Sequence, residues 1–176
     1  FEFEMPSYEQ ITRNLSGIVG QSTRALYSVD HEVTDKEFEG LKKAAERFTR
    51  LPIYSVDSVG NVDEIINTII SFVKYRKLEE TKDGLIVTID HALLTSMKQD
   101  EDERKMLAHL YRTIIRMKKW FEGLGIPVLF IILNQLNRNI ETVQRKDNPD
   151  YHYPNRNDLF GSNDIFMGSD YVLIIH

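Results

Sequence analysis

The chain has 176 residues, of which 41% are hydrophobic and 28% charged, a composition typical of a globular domain that buries roughly two thirds of its unfolded surface. Its net charge of −5 excludes a surface that is basic throughout, so any contact with nucleic acid is expected through local loops. The absence of cysteine excludes a disulfide framework and cysteine-ligated zinc and is compatible with the cytoplasm, while no apolar run is long enough to span a membrane.

The first part of the chain predicts a short strand followed by helices. Residues 1–5 alternate apolar and acidic side chains, as a strand does. Glu4 lies where this strand leads into a helix, and a solvent-facing strand residue is the ordinary explanation for it. A second short strand is predicted at residues 51–56. Three helices are predicted to begin at pairs with capping-box spacing: Ser7 with Gln10, Thr34 with Glu37, and Asn61 with Glu64.

The most informative stretch is the apolar strand predicted at residues 85–90, which begins after Gly84 and ends in Asp90. Its apolar, β-branched residues predict a strand buried on both faces. Open parallel sheets bind ligands at the carboxyl edge of their strands. An apolar strand that ends in Asp is the Walker B pattern, whose carboxylate helps to hold the Mg²⁺ of a bound nucleotide. The alternative is an Asp that only caps the following turn.

The second half of the chain continues the alternation of helix and strand. The charge run at residues 98–105 predicts acids in the first turn of a helix, where the helix dipole favours them, rather than a metal site. His109 within this helix is interpreted as a surface or packed residue. Further buried strands are predicted at residues 127–133 and 171–175. Strands that alternate with helices in this way predict an α/β fold with a mainly parallel sheet.

Polar side chains follow three of the predicted strands: Glu4, Asp90 and Gln135. If these strands share one edge of a parallel sheet, the three side chains supply the parts that phosphoryl transfer needs. One carboxylate would orient water, the other would hold Mg²⁺, and the amide would sense a terminal phosphate.

In order and spacing, four motifs of the chain resemble the RecA-like motor domain of DnaB-type replicative helicases. They are residues 1–5, residues 85–90, the run Gln135-Leu136-Asn137-Arg138, and residues 158–173. The resemblance implies a RecA-like P-loop NTPase fold, with a doubly wound, mainly parallel sheet flanked by helices. It implies a hexameric ring ATPase that moves along single-stranded DNA and unwinds duplex DNA in the cytoplasm, with a primase or helicase loader as a further partner and no membrane.

The resemblance also implies the cofactors and the role of each site residue. ATP and Mg²⁺ are the expected cofactors. Glu4 matches the glutamate that activates the attacking water, Asp90 the acid that binds Mg²⁺ through the nucleotide, and Gln135 the sensor of the γ-phosphate. The segment at residues 139–168 matches the loops that face the central channel. The residues expected to contact DNA are Asn137, Arg138, Arg145, Lys146, Arg156, Phe160, Gly161 and Asn163.

The charge of this segment gives only modest support for DNA contact. Between Arg138 and Arg156 there are four cations and three anions, so the net charge is +1. The aromatic run Tyr151, His152 and Tyr153 could stack on bases. A polar surface loop with no ligand is the alternative.

Two departures from the family pattern matter. None of the nine glycines is followed by lysine, so the P-loop that cradles phosphates is absent from the chain. The last motif has Phe160 and Gly161 where Arg and Glu are usual. We therefore expect residues 1–176 to be a single motor domain, truncated before the first strand and after the last, that does not hydrolyse ATP alone. A RecA-fold recombinase or regulatory ring, and a non-catalytic ring or binding module, are the alternatives.

Overall fold

The structure is a computed structural model that describes residues 1–28, 32–58, 60–92, 95, 102–159 and 162–175. The chain divides into two compact units, one formed by Glu2–Asp57 and the other by Phe1 together with Ser58–His176.

In the unit formed by Glu2–Asp57, the described residues form three helices: α1 (Ser7–Val19), α2 (Thr23–Leu26) and α3 (Asp35–Phe48). Helix α1 packs on α3. The predicted capping box at Thr34 and Glu37 is confirmed, because each side chain accepts from the other residue's backbone N–H. The predicted cap at Ser7 is wrong, since α1 begins there without a side-chain cap. The hydroxyl of Ser7 instead donates to Oδ2 of Asp57 at 3.0 Å, and the hydrogen bonds from Ser7 lower the pKa of that carboxyl.

In the described part of the second unit, helices α4 (Val62–Tyr75) and α5 (Leu78–Thr81) precede the first strand. Helix α6 (Glu103–Leu124) follows that strand. The capping box predicted at Asn61 and Glu64 is confirmed at the start of α4. Helix α6 is capped by Gly125, which adopts a positive φ of 66° that suits glycine. The apolar faces of both long helices are buried, as their periodicity predicts. The buried residues include Ile65, Ile69, Val73, Met106, Leu107, Leu110, Ile114, Met117 and Phe121.

Two parallel strands form the sheet of the described chain, β1 (Leu85–Ile89) and β2 (Val128–Ile132). Their register pairs Leu85 with Val128 and Ile89 with Ile132. Helix α6 crosses from one strand to the next, as parallel strands require. Its Phe121 is fully buried, and the ring makes an edge contact with Phe130 of β2 at 6.2 Å between centroids. Both were predicted from their apolar runs, and both are confirmed as strands. The prediction that they are buried on both faces is wrong: side chains alternate between the two faces of a strand, and Ile86 and Leu129 are 66% and 53% exposed.

Three other predicted strands, at residues 1–5, 51–56 and 171–175, are not strands in the structure. Phe1 alone lies along β1, where its nitrogen donates to the carbonyl of Thr88 at 2.8 Å and its carbonyl accepts from the N–H of Asp90 at 2.9 Å. An apolar run becomes a strand only where a neighbouring backbone supplies hydrogen bonds along its length, which composition does not report. The doubly wound sheet therefore stays a prediction.

The chain after β2 is built from short turns and helices. They are a 3-10 turn (Arg138–Glu141), α7 (Val143–Lys146), α8 (Pro149–His152), a second 3-10 turn (Arg156–Asp158) and α9 (Ser162–Gly168). Helix α9 packs closely on α6. The two helices are so close at Gly168 that a Cβ there would lie 3.0 Å from the ring of Tyr111. Burial raises the pKa of Tyr111 to about 12. Among the described residues, no helix has the length and apolar character needed to cross a membrane.

Candidate functional site

The carboxyl ends of β1 and β2 meet at one edge of the sheet. The N–H of Leu133 donates to the carbonyl of Ile89 at 3.0 Å, and the N–H of Ala92 donates to the carbonyl of Leu133 at 3.0 Å. Asp90 directly follows β1 and is half-buried, while Gln135 lies three residues beyond β2 and is exposed. The structure thus places two of the three predicted nucleotide-site residues after neighbouring parallel strands, at the edge where open sheets bind ligands.

The donor set at this edge fits a Mg²⁺ ion that is held mainly by a nucleotide. Among the residues that the structure describes, no group of three or more His, Cys, Asp or Glu side chains could hold a metal ion. Mg²⁺ usually keeps several waters and takes only one or two carboxylates together with substrate phosphates. The half-buried carboxylate of Asp90 is a suitable single protein ligand of this kind.

Two polar residues that follow Asp90 in the chain, His91 and Thr95, were not predicted to have a role. His91 follows Asp90 through a cis peptide bond, and its Nδ1 is buried. The hydroxyl oxygen of Thr95 is also buried. Within the described part of the chain neither atom has a hydrogen-bond partner, which is costly for a buried polar group. Neither residue was predicted as part of the site, and their one sequence signal is that they follow the strand that ends in Asp90.

Glu4, the third predicted residue of the nucleotide site, belongs to the unit Glu2–Asp57, whereas Asp90 and Gln135 belong to the other. Its side chain is exposed. The role of Glu4 as the residue that activates water therefore stays a prediction.

The segment that follows Gln135 is tied to the far end of the polar loop, which we define as residues 136–159. Leu136 and Leu159 form an antiparallel bridge. The N–H of Asn137 donates to the carbonyl of Asp158 at 2.6 Å, and its side-chain amide donates to the carbonyl of Asn157 at 2.7 Å. Asn137, predicted to contact DNA, thus holds the two ends of the loop together.

Arg145 and Asp158 form an ion pair inside the polar loop. Both terminal nitrogens of the guanidinium donate to the carboxylate, one to each oxygen, and the Nη2–Oδ2 distance is 2.9 Å. The Asp158 carboxylate also accepts from the N–H of Asn155 at 2.8 Å. Asp158 is only 2% exposed, so its charge depends on these donors. The hydrogen bonds from Arg145 lower the pKa of Asp158, and the same bonds raise the pKa of Arg145.

Arg145 also holds the backbone of the aromatic run. Its Nε donates to the carbonyl of Tyr151 at 2.7 Å, and its Nη2 donates to the carbonyl of Tyr153 at 2.9 Å. The guanidinium therefore points into the loop rather than toward solvent. The sequence predicted Arg145 as a DNA contact and gave no sign of this pairing, because its partner lies thirteen residues away.

The other residues predicted to contact DNA differ in their surroundings. Lys146 is exposed. The guanidinium carbon of Arg156 lies 4.2 Å from the centre of the Phe166 ring, in a cation–π contact. Phe160 and Gly161 lie outside the described residues, and so do the side chains of Arg138 and Asn163. Contact of these residues with DNA stays a prediction.

The polar loop forms an open concave surface, and the pocket that this surface lines has a volume of about 900 Å³. Its lining comes entirely from the loop: Gln144, Arg145, Asn148, Tyr151, Tyr153, Pro154, Asn155, Asn157 and Asp158. This surface combines aromatic rings, amide groups and one neutralised ion pair, and the sequence gave no indication of it.

The fold and its polar edge define an α/β protein whose candidate site lies where parallel strands end. Residues 1–176 match the family described as DnaB-like helicase C terminal domain, and the chain belongs to that family. A comparison with curated proteins gives no match.

Solved structures show the same fold. One, described as "ATPase Domain of G40P", is 21% identical with a TM-score of 0.70, and the alignment covers 96% of this chain and 55% of that one. Another, described as "The Structure Of A DnaB-Like Replicative Helicase And Its Interactions With Primase", is 22% identical with a TM-score of 0.71, covering 95% of this chain and 37% of that one. The chain thus spans about half or less of the length of these proteins, whose fold is RecA-like.

Proposed function

We propose that the chain is the motor domain of an ATP-dependent replicative DNA helicase, which couples ATP hydrolysis to movement along single-stranded DNA and to duplex unwinding. The observation that carries this proposal is the match to the DnaB-like helicase C terminal domain along the whole chain. The carboxyl edge formed by β1 and β2 supports it, because Asp90 and Gln135 follow neighbouring parallel strands there.

In this proposal the three polar residues divide the work on ATP. Asp90 binds the Mg²⁺ of the nucleotide, which neutralises charge on the phosphates. Gln135 senses the terminal phosphate by hydrogen bonding through its amide. Glu4 orients or deprotonates the attacking water. Positioning and electrostatic stabilisation account for most of the catalysis of phosphoryl transfer, so each of these side chains acts by holding a group in place.

The polar loop is the proposed contact to single-stranded DNA. Asn137 lies two residues after Gln135 and bonds to both Asn157 and Asp158, so a shift at the strand end moves the far end of the loop. This direct connection is the physical route by which phosphate sensing would reach the DNA. The working assembly is proposed to be a homo-hexamer, with primase or a helicase loader as a further partner.

The proposal is tested by replacing Asp90 in the full protein and measuring ATP hydrolysis and duplex unwinding. Asp90→Asn keeps the shape of the side chain and removes its charge, so we expect both rates to fall at least about 100-fold. Asp83→Asn is the matched control: it changes an exposed carboxylate just before the other end of β1 and should leave both rates unchanged. Wild-type rates in Asp90→Asn would overturn the proposed function.

A second variant tests the proposed role of Glu4. Glu4→Gln should leave nucleotide binding intact and lower turnover by about 10²–10⁴-fold, since a positioned base or water-orienting group contributes that much. Glu39→Gln, on the exposed face of α3, is the control. Unchanged turnover in Glu4→Gln would show that Glu4 is an ordinary surface residue.

A further inference from the structure

We propose that the polar loop binds an unpaired nucleobase at its concave surface by stacking on Tyr151 and Tyr153, and that Arg145 is a positioning residue for this contact. The inference rests on the proposed function, since it names the part of single-stranded nucleic acid that this loop contacts. It also changes the role expected of Arg145, from a phosphate contact to a support for the tyrosines.

The charge of the concave surface argues against a phosphate ligand. Among the described residues that line it, Arg145 is the only cation, and both of its terminal nitrogens donate to the carboxylate of Asp158. A phosphate that competed for this guanidinium would leave the carboxylate of Asp158 buried without its cation, at a large cost. The surface therefore suits an uncharged ligand.

The same guanidinium fixes the backbone of both tyrosines. The carbonyls of Tyr151 and Tyr153 accept from Arg145 at 2.7 and 2.9 Å, so both carbonyls point toward the interior of the loop. The side chains of Tyr151 and Tyr153 are 66% and 73% exposed and line the concave surface. One ion pair thereby holds the backbone that carries two exposed aromatic side chains of one surface.

The chemistry of this surface matches a nucleobase. Aromatic rings stack on any base, which makes the contact tolerant of sequence. Gln144 and Asn148 also line the surface and carry amide groups, which can donate to and accept from the edge of a base. Motor proteins that move along DNA need contacts that ignore sequence, and stacking meets that need without adding charge to an acidic chain.

The test measures binding of a fluorescent oligothymidine to the full protein over a range of salt concentrations. Tyr151→Ala and Tyr153→Ala should each weaken binding by about 5- to 100-fold. The slope of log affinity against log salt should stay as in wild type, because stacking releases no counterions. Tyr151→Phe and Tyr153→Phe keep the rings and should bind as wild type does. Lys146→Ala is the control for a phosphate contact and should reduce the slope by about 0.7.

The role of Arg145 is tested with the double variant Arg145→Gln/Asp158→Asn, which removes both charges and keeps amide groups that can pair. The inference predicts an unchanged salt slope. A slope reduced by about 0.7 would show that Arg145 contacts a phosphate and would overturn the inference.

An oligonucleotide with abasic sites gives a readout that a structural role would not change. Wild type should bind it more weakly than oligothymidine, and this difference should shrink in each Tyr→Ala variant, which keeps one of the two rings. Tyr→Ala variants that bind oligothymidine as wild type does would overturn the inference and leave the proposed function standing. A wild-type protein that binds no single-stranded DNA would overturn the proposed function itself.

Discussion

The sheet core and the polar loop are stabilised in opposite ways. Between β1, β2 and α6 the structure depends on apolar burial: Phe121 and Ile89 are fully buried. In the polar loop one buried carboxylate, that of Asp158, accepts hydrogen bonds from Arg145 and from the N–H of Asn155. Apolar packing is spread over many contacts, whereas the loop depends on a few polar ones, namely this ion pair and the hydrogen bonds of Asn137. The loop is therefore expected to be more sensitive than the core to the loss of one interaction.

The largest expected effect on stability comes from the core. Phe121→Ala should lower the free energy of unfolding of the chain by about 3–5 kcal/mol, through lost transfer free energy and the cavity left behind. Leu129→Ala, at a side chain 53% exposed on β2, should cost less than about 1 kcal/mol. Urea unfolding of both variants measures the difference. Equal losses would contradict the assignment of Phe121 to a packed core.

A smaller effect is expected in the loop. Asp158→Ala removes the acceptor for Arg145 and for the N–H of Asn155, so it should cost about 1–3 kcal/mol of unfolding free energy. Hydrogen exchange at the amide of Asn137, which donates to the Asp158 carbonyl, should become faster in this variant. Lys146→Ala changes an exposed side chain and is the control. Exchange at Asn137 that is unchanged in Asp158→Ala would show that the ion pair does not hold the loop.

The ion pair also predicts a pH dependence. Because Arg145 lowers the pKa of Asp158 in the folded chain, the unfolded chain binds the proton more readily. The pair therefore stabilises the fold fully above the ordinary aspartate pKa of about 4, and this contribution is lost as pH falls through the lowered value. The stability difference between wild type and Asp158→Asn should be constant at neutral pH and shrink in acid. If this stability difference grew on acidification, it would contradict the lowered pKa of Asp158.

The two regions also differ in how far the sequence predicts them. Continuous apolar runs predicted β1 and β2, the helical spacing of apolar residues fits the long helices, and capping boxes located the starts of α3 and α4. The strand ends then located Asp90 and Gln135 at one edge, since parallel strands end on the same side. In this part of the molecule each helix or strand is predicted by a pattern within its own short stretch of sequence.

The polar loop carries no such signal. The partner of Arg145 is Asp158, and several other acids in the same stretch would have been equally reasonable choices. The predictions of strands at the two ends of the chain were wrong for a related reason. Residues 171–175 have the composition of a strand, but strand pairing depends on a neighbouring backbone. Interactions between distant residues decide both cases, and one sequence does not encode them as a pattern.

We propose that the carboxyl edge of β1 and β2, the proposed nucleotide site, is coupled to the polar loop through Gln135 and Asn137. The most direct test is the ATPase rate of the full protein with and without single-stranded DNA, in wild type and Gln135→Ala. We predict that Gln135→Ala retains part of the basal hydrolysis, more than Asp90→Asn does, and loses the stimulation by DNA. Full stimulation in Gln135→Ala would contradict the proposed route from phosphate to loop.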